Sequence, residues 1–330
     1  MRIERLATRP AASPVRKIIN ALVSKPVYLQ HRPMPQDAPP PAKETGSPWL
    51  GWGLVAVTGF LFWPVARWMV TEVAAREQIK QGMVLLLAAA ALIIWRNPQA
   101  LRPVPNLNNR SLGLLAGAFA CVGIAGFTHW SILLLPGLTI GLAGSLQLLM
   151  GSTGYKFLQP LVAGIAALMI IILIFPVLDW PLRQLAGVEA ARVLHIFGLA
   201  PRLTIVSPEN DPQLILQTGD QAFRVATACN GFGIITSGAM LALLAGGISR
   251  RPLWIISLLM LFALPFGFSI NLLRILAITQ LAPFFPGHYE AMHEVVGTLM
   301  LWTGLGFIGW LSWRPDASSV LPTTPENAKV

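Results

Sequence analysis

The sequence predicts an all-α membrane protein with about eight transmembrane helices and a small extracytoplasmic insertion before the sixth. Composition is the first reason. Of the 330 residues, 54% are hydrophobic and only 12% are charged, and the mean hydropathy is +0.62. A soluble domain carries about 25% charged residues, so a soluble enzyme and a disordered tail protein are excluded. Two cysteines are too few for a disulfide scaffold.

The lengths of the apolar segments are the second reason, since a spanning helix needs about 20 residues. The segments are Trp49–Val70, Met83–Trp95, Leu112–Phe127, Ile132–Met150, Leu161–Leu178, Gly231–Ile248, Leu253–Ile278 and Val295–Trp313. The second and third are short by this measure, so we expect them to tilt little or to be re-entrant. Several segments end in Trp, which is typical of membrane interfaces.

The distribution of Lys and Arg predicts the orientation. With a cytoplasmic N-terminus, the inner segments hold 16 basic residues and the outer loops hold 6. An excess of basic residues in cytoplasmic loops is the usual rule, so both termini are predicted to be cytoplasmic. The net charge of +10 therefore reflects the orientation in the membrane and does not indicate nucleic-acid binding, because the basic residues are scattered through short loops and one arm.

The extramembrane parts complete a five-part organisation. It consists of a basic cytoplasmic arm (1–48), spans one to five (49–178), an extracytoplasmic loop (179–228), spans six to eight (229–313) and a cytoplasmic tail (314–330). In the arm, Ser13-Pro14 is typical of a helix start, and the apolar face that follows predicts a helix lying on membrane lipids. A flexible tail is the alternative for this arm.

The extracytoplasmic loop begins with an amphipathic stretch and ends with two strand-like runs. Ala186, Ala190, Val193, Leu194 and Phe197 share one helical face, which we expect to lie on the bilayer surface. The runs Gln213–Thr218 and Gln221–Thr227 are joined by Gly219-Asp220, and a two-residue link of this kind predicts a hairpin.

Three reactive side chains are predicted to meet at the outer membrane boundary. Cys229 is at the outward start of span six, Arg274 near the outward end of span seven, and His293 at the outward start of span eight. Asn271 is one turn before Arg274 on the same face. Gly231, just after Cys229, leaves room for the close approach of backbone or substrate.

These side chains suit acyl transfer. The thiolate is the nucleophilic form of cysteine, and a helix N-terminus and a nearby cation both favour it. Histidine can take and return a proton, and arginine at a cavity mouth can stabilise an oxyanion. The arginine and the histidine also have ordinary structural explanations. An Arg at a helix end usually extends its charged group to the membrane surface, and a His there usually lies at the membrane interface.

Other chemistries fit less well. His293-Glu294 begins like a zinc-protease helix, but Gly297 stands where the second His is needed, so no metal is expected. Acidic residues are nearly absent from the spans, which argues against a proton-coupled transporter. A permease that uses Arg274 to bind an anionic or lipid-linked substrate, and a structural partner in polysaccharide export, stay open as alternatives.

Three short motifs carry a family resemblance. Ala228-Cys229-Asn230-Gly231, the run from Asn271 to Ile275 and the run from His293 to Gly297 resemble, in order and spacing, those of the exosortase/archaeosortase family. The Phe175-Pro176 end of span five matches as well. The resemblance covers about residues 160–313 specifically and the whole multi-span region loosely.

The resemblance implies a cysteine transpeptidase of the bacterial inner membrane without metal or organic cofactor. Its substrates would be exported proteins with a C-terminal sorting signal of the PEP-CTERM kind: a Pro-containing motif, a spanning helix and a basic tail. By motif, Cys229 is the nucleophile, His293 the general acid/base and Arg274 the electrostatic partner. The acceptor of the acyl group and the oligomeric state stay open.

Two positions depart from the family pattern. Asn230 stands where Ser is common, and Phe232-Gly233 replaces the more usual Ile-Arg. The cysteine, arginine and histidine are all present, so these departures concern the subfamily and the signal recognised more than the chemistry.

Overall fold

Helices make up most of the structure, which is a computed structural model. It describes residues 48–103, 105, 107–207, 212–219, 221–225, 230–285 and 287–313. All of these belong to one compact unit, Thr45–Val330. The predicted interfacial helix at Ser13-Pro14, the tail 314–330 and Cys229 lie outside the described residues.

Seven α-helices and three strands follow one another along the described chain. They are α1 (Pro48–Ala75), α2 (Glu77–Arg96), α3 (Asn109–Thr128), α4 (Leu134–Ile196), β1 (Arg202–Val206), β2 (Gln213–Thr218), β3 (Gln221–Val225), α5 (Phe232–Ile248), α6 (Leu253–Leu281) and α7 (Tyr289–Trp313). Six of these helices are long and apolar enough to cross a membrane. The seventh, α5, is apolar but shorter.

The helices that contain the second and third predicted segments, α2 and α3, are longer than the apolar segments themselves. Helix α2 begins at Glu77 and α3 at Asn109, and each has 20 residues. The side chain of Asn108 accepts a hydrogen bond from the Ser111 amide and caps α3. Because polar first turns extend both helices, their length is sufficient for a full crossing.

Helix α4 contains the fourth and fifth predicted segments and continues beyond them. Its 63 residues have helical dihedral angles except at Gly151 (φ 65°, ψ −178°). This kink falls between the two predicted segments. By length α4 is a single long helix, whereas the sequence predicts two spans in this region. The fifth segment was predicted to end at Leu178, but the helix continues to Ile196.

Helix α5 is the most enclosed helix of the described bundle. Eleven of its 17 residues are buried, and it packs against α2, α4, α6 and α7. At 1.5 Å per residue it is about 25 Å long, shorter than the roughly 30 Å hydrocarbon core. Surrounding helices cover it, so its length need not match the lipid.

The strands form a three-stranded antiparallel sheet in the order β1-β2-β3. Leu214 is paired with Val225 and Leu216 with Phe223, and all four are buried on one face. Strands β2 and β3 are the two predicted runs, with β3 ending at Val225. Strand β1 was not predicted.

The amphipathic stretch at the end of α4 packs under this sheet. Ala186, Ala190 and Leu194 are fully buried in one cluster with the apolar face of the sheet. The prediction that this face lies on the bilayer surface is therefore wrong for these three residues, because the sheet covers them, whereas Phe197 of the same face is 73% exposed. The same face excludes a side chain at Gly187, where a Cβ would come within 2.6 Å of Leu214 Cδ2.

Candidate active site

Four helices surround one cavity of about 250 Å³. It lies between the first turns of α2 and α5, the last third of α6 and the second to fourth turns of α7. Gly231, Arg274 and His293 line it together with side chains from the start of α2. The N-termini of α2 and α5 therefore face this space, and their partial positive charges favour an anion there.

Arg274 and His293 meet in this cavity. Arg274 Nη2 lies 3.4 Å from His293 Nε2, a contact between α6 and α7. The guanidinium has only donors, so a hydrogen bond in this geometry makes Nε2 the acceptor. An imidazole with an accepting nitrogen is the neutral form, which is the form that can take a proton.

Gly297 makes room for the guanidinium. One turn after His293 on α7, a Cβ at Gly297 would come within 2.6 Å of Arg274 Nη2 and 2.8 Å of its Cζ. The guanidinium thus lies against bare backbone. In the sequence, Gly297 excludes a zinc motif and ends the third family motif. A glycine one turn after the histidine also leaves space for a large side chain, which is the sequence signal for this contact.

Gly231 and Asn271 join the start of α5 to α6. Gly231 has φ 76° and precedes the first residue of α5. A Cβ there would come within 3.0 Å of the Asn271 Cβ, and Asn271 is fully buried. Two features therefore favour glycine at this position: the left-handed backbone conformation and the close contact with Asn271.

Asn230, which directly follows Cys229 in the sequence, anchors the start of α5. It is fully buried, and its Oδ1 accepts a 2.7 Å hydrogen bond from the Phe232 amide. Its Nδ2 donates to Asp179 Oδ1 at 2.6 Å. No sequence pattern pointed to Asp179, which lies 51 residues earlier in α4.

The first turns of α2 form a wall of the cavity that was not predicted. Glu77, Gln78 and Gln81 line it. Gln81 Oε1 accepts a 3.2 Å hydrogen bond from Ser237 Oγ of α5. Gly233 of α5 lies against the same turn, since a Cβ there would be in ordinary contact with Gln81 Oε1 at 3.4 Å. Polar residues just before the apolar run at Met83 were the available signal.

The structure thus brings together Gly231, Asn271, Arg274 and His293 from the start of α5, from α6 and from α7. Cys229, the remaining predicted site residue, is outside the described part of the chain. Asn230, which comes directly after it, is part of the same assembly.

A comparison with protein families then decides the family. The model of the transmembrane exosortase family matches residues 68–310, well over half of the chain. The chain belongs to the transmembrane exosortase family. This exosortase is therefore a multi-pass membrane protein, and its family implies a membrane transpeptidase that acts on protein sorting signals. No curated protein and no solved structure matches it.

Proposed function

We propose that this exosortase cleaves C-terminal sorting signals of exported proteins at the outer face of the bacterial inner membrane, through an acyl-thioester on Cys229. The observation that carries the proposal is the contact of Arg274 with His293 in a cavity that also contains the start of α5. Cys229 comes two residues before Gly231, which lines that cavity.

The reaction begins with proton transfer and attack. His293 takes the thiol proton, and the Cys229 thiolate adds to the carbonyl carbon of the scissile peptide bond. Negative charge develops on the carbonyl oxygen, and the Arg274 guanidinium stabilises it together with the N-termini of α2 and α5. The adduct collapses when the carbon–nitrogen bond breaks, and imidazolium His293 gives its proton to the leaving amine.

The second half returns the enzyme to its starting state. An incoming amine or water attacks the thioester carbonyl, His293 takes its proton, and the carbon–sulfur bond breaks to regenerate Cys229 as thiolate or thiol. An amine gives a new amide and water gives a free carboxylate. Each proton taken by His293 is returned, so the reaction needs no cofactor.

The arrangement of the membrane segments supports access from the lipid. We take the eight predicted spans to be α1 to α3, the two parts of α4 on either side of Gly151, and α5 to α7. With cytoplasmic termini, the cavity is at the outer face, where the sorting signal of an exported protein emerges. The substrate's own helix would dock beside the spans and place the scissile bond by geometry.

Substitution of the proposed nucleophile tests this function. Cys229→Ala should abolish processing of a tagged substrate with a sorting signal, because no thioester can form, while membrane insertion is retained. Cys121→Ala is the matched control, since Cys121 lies within α3 and should not affect processing. Full processing by Cys229→Ala would refute the mechanism and favour the permease that binds an anionic substrate at Arg274.

A further inference from the structure

The side chain of Asp179 is tied to the residue that follows the proposed nucleophile. We infer that Asp179 is a positioning residue: through Asn230 it fixes the backbone that leads from Cys229 into α5. This inference rests on the proposed function and adds a residue to it. It needs no contact between Asp179 and the substrate.

Asn230 is held from two directions at once. Its Oδ1 accepts from the Phe232 amide of α5 at 2.7 Å, and its Nδ2 donates to Asp179 Oδ1 at 2.6 Å. Both bonds are buried or partly buried, and a hydrogen bond to a carboxylate is about twice as strong as one between neutral groups. The side chain therefore cannot rotate without breaking one of the two bonds.

Asp179 is itself a fixed reference point. Its second oxygen, Oδ2, pairs with Arg183 Nη2 at 2.5 Å, and only 14% of the Asp179 side chain is exposed. The Arg183 guanidinium lies 5.3 Å from the centre of the Trp180 ring. Both carboxylate oxygens are thus occupied, one by the ion pair within α4 and one by Asn230.

The attachment links two separate parts of the fold. Asp179 belongs to α4, whereas Gly231 on the other side of Asn230 contacts Asn271 of α6. The short segment that carries Cys229 into α5 is therefore fastened to both helices. Since a displacement of about 1 Å at a reacting group can cost on the order of 100-fold in rate, loss of this attachment is expected to lower turnover.

An exchange of the two side chains tests the inference. Asn230→Asp places two carboxylates against each other, and we expect kcat to fall by about tenfold or more with little change in KM. Asp179→Asn should also lower kcat, because its single amide oxygen replaces two carboxylate oxygens that accept from Asn230 and from Arg183. Combining both substitutions reverses the bond: the carboxylate at position 230 accepts from the amide at position 179 and still accepts from the Phe232 amide. The double variant should therefore return kcat to within about threefold of wild type.

A control and a second variant guard against a trivial loss of folding. Glu189→Gln removes an exposed ion pair with Arg192 on the same helix and should leave kcat unchanged. Asp179→Leu removes the acceptor altogether, so the folded variant should show a lower kcat and a different rate of Cys229 alkylation by a membrane-impermeant maleimide in a Cys121→Ala background.

The outcomes separate this inference from the proposed function. A double variant no better than Asn230→Asp, or wild-type kcat and alkylation rate in folded Asp179→Leu, would overturn the positioning role while the mechanism stands. Processing that survives in Cys229→Ala would instead refute the proposed function itself. Recovery of kcat by the double variant supports both.

Discussion

Replacing Gly297 with alanine offers a way to separate catalysis from stability. The added Cβ would come within 2.6 Å of Arg274 Nη2, 2.8 Å of Cζ and 2.9 Å of Nε. All three distances are below van der Waals contact, so the guanidinium has to move by about 1 Å to restore contact at roughly 3.5–4 Å. Such a movement breaks the 3.4 Å contact of Nη2 with His293 Nε2.

The size of the effect follows from that displacement. A misplacement of about 1 Å costs on the order of 100-fold in rate, and loss of one oxyanion donor costs about 100- to 1,000-fold. We therefore expect kcat of Gly297→Ala to fall by roughly 100-fold. Alanine has a higher helix propensity than glycine by about 1 kcal/mol, which offsets part of the strain and keeps α7 folded.

The assay is cleavage of a purified tagged substrate in detergent or nanodiscs, together with a thermal unfolding curve. Gly306→Ala is the matched control: it lies on the same helix, and a Cβ there would meet nothing within 4 Å. Wild-type kcat in Gly297→Ala would refute the role assigned to the Arg274–His293 contact, as would an equal loss in Gly306→Ala.

Two further variants probe other walls of the cavity. Gly231→Ala forces a side chain into a left-handed backbone conformation and against Asn271. It should lower the free energy of unfolding by about 1–2 kcal/mol, measured by thermal or denaturant unfolding in detergent, and wild-type stability would contradict the strain. Gln78→Ala removes an amide that lines the cavity. It should raise KM several-fold with kcat nearly unchanged if the amide binds the substrate backbone, and a change in kcat alone would contradict that role.

Much of the site's layout follows from topology. Alternating crossings place Arg274, His293 and Gly231 at one end of the bundle, since the helices that carry them begin or end at the same side. Together with Cys229, these residue types suit acyl transfer, and Arg274 also suits the binding of an anion. The length of apolar segments and the basic residues of loops are strong local signals in membrane proteins, so the side on which each helix begins or ends can be predicted from sequence.

Contacts that depend on tertiary packing were not predictable. An amphipathic face at Ala186, Ala190 and Leu194 shows that one side is covered, but the pattern is the same whether lipid or protein covers it. The sheet does so here. Likewise, Asp179 has no partner nearby in sequence other than Arg183 among the described residues, so its bond to Asn230 emerges only when α4 and α5 are placed together.

The continuity of α4 restricts how a substrate can enter. Beyond Gly151 the helix runs to Ile196 with helical dihedral angles throughout, with Pro160, Pro176 and Pro181 inside it. At 1.5 Å per residue this part is about 65 Å long. The sheet packs on Ala186, Ala190 and Leu194 near the end of this helix, so the sheet is attached to the same helix that contains the fifth predicted span. Under the proposed function, a substrate with its own hydrophobic anchor would then approach the cavity sideways, from the lipid between neighbouring helices.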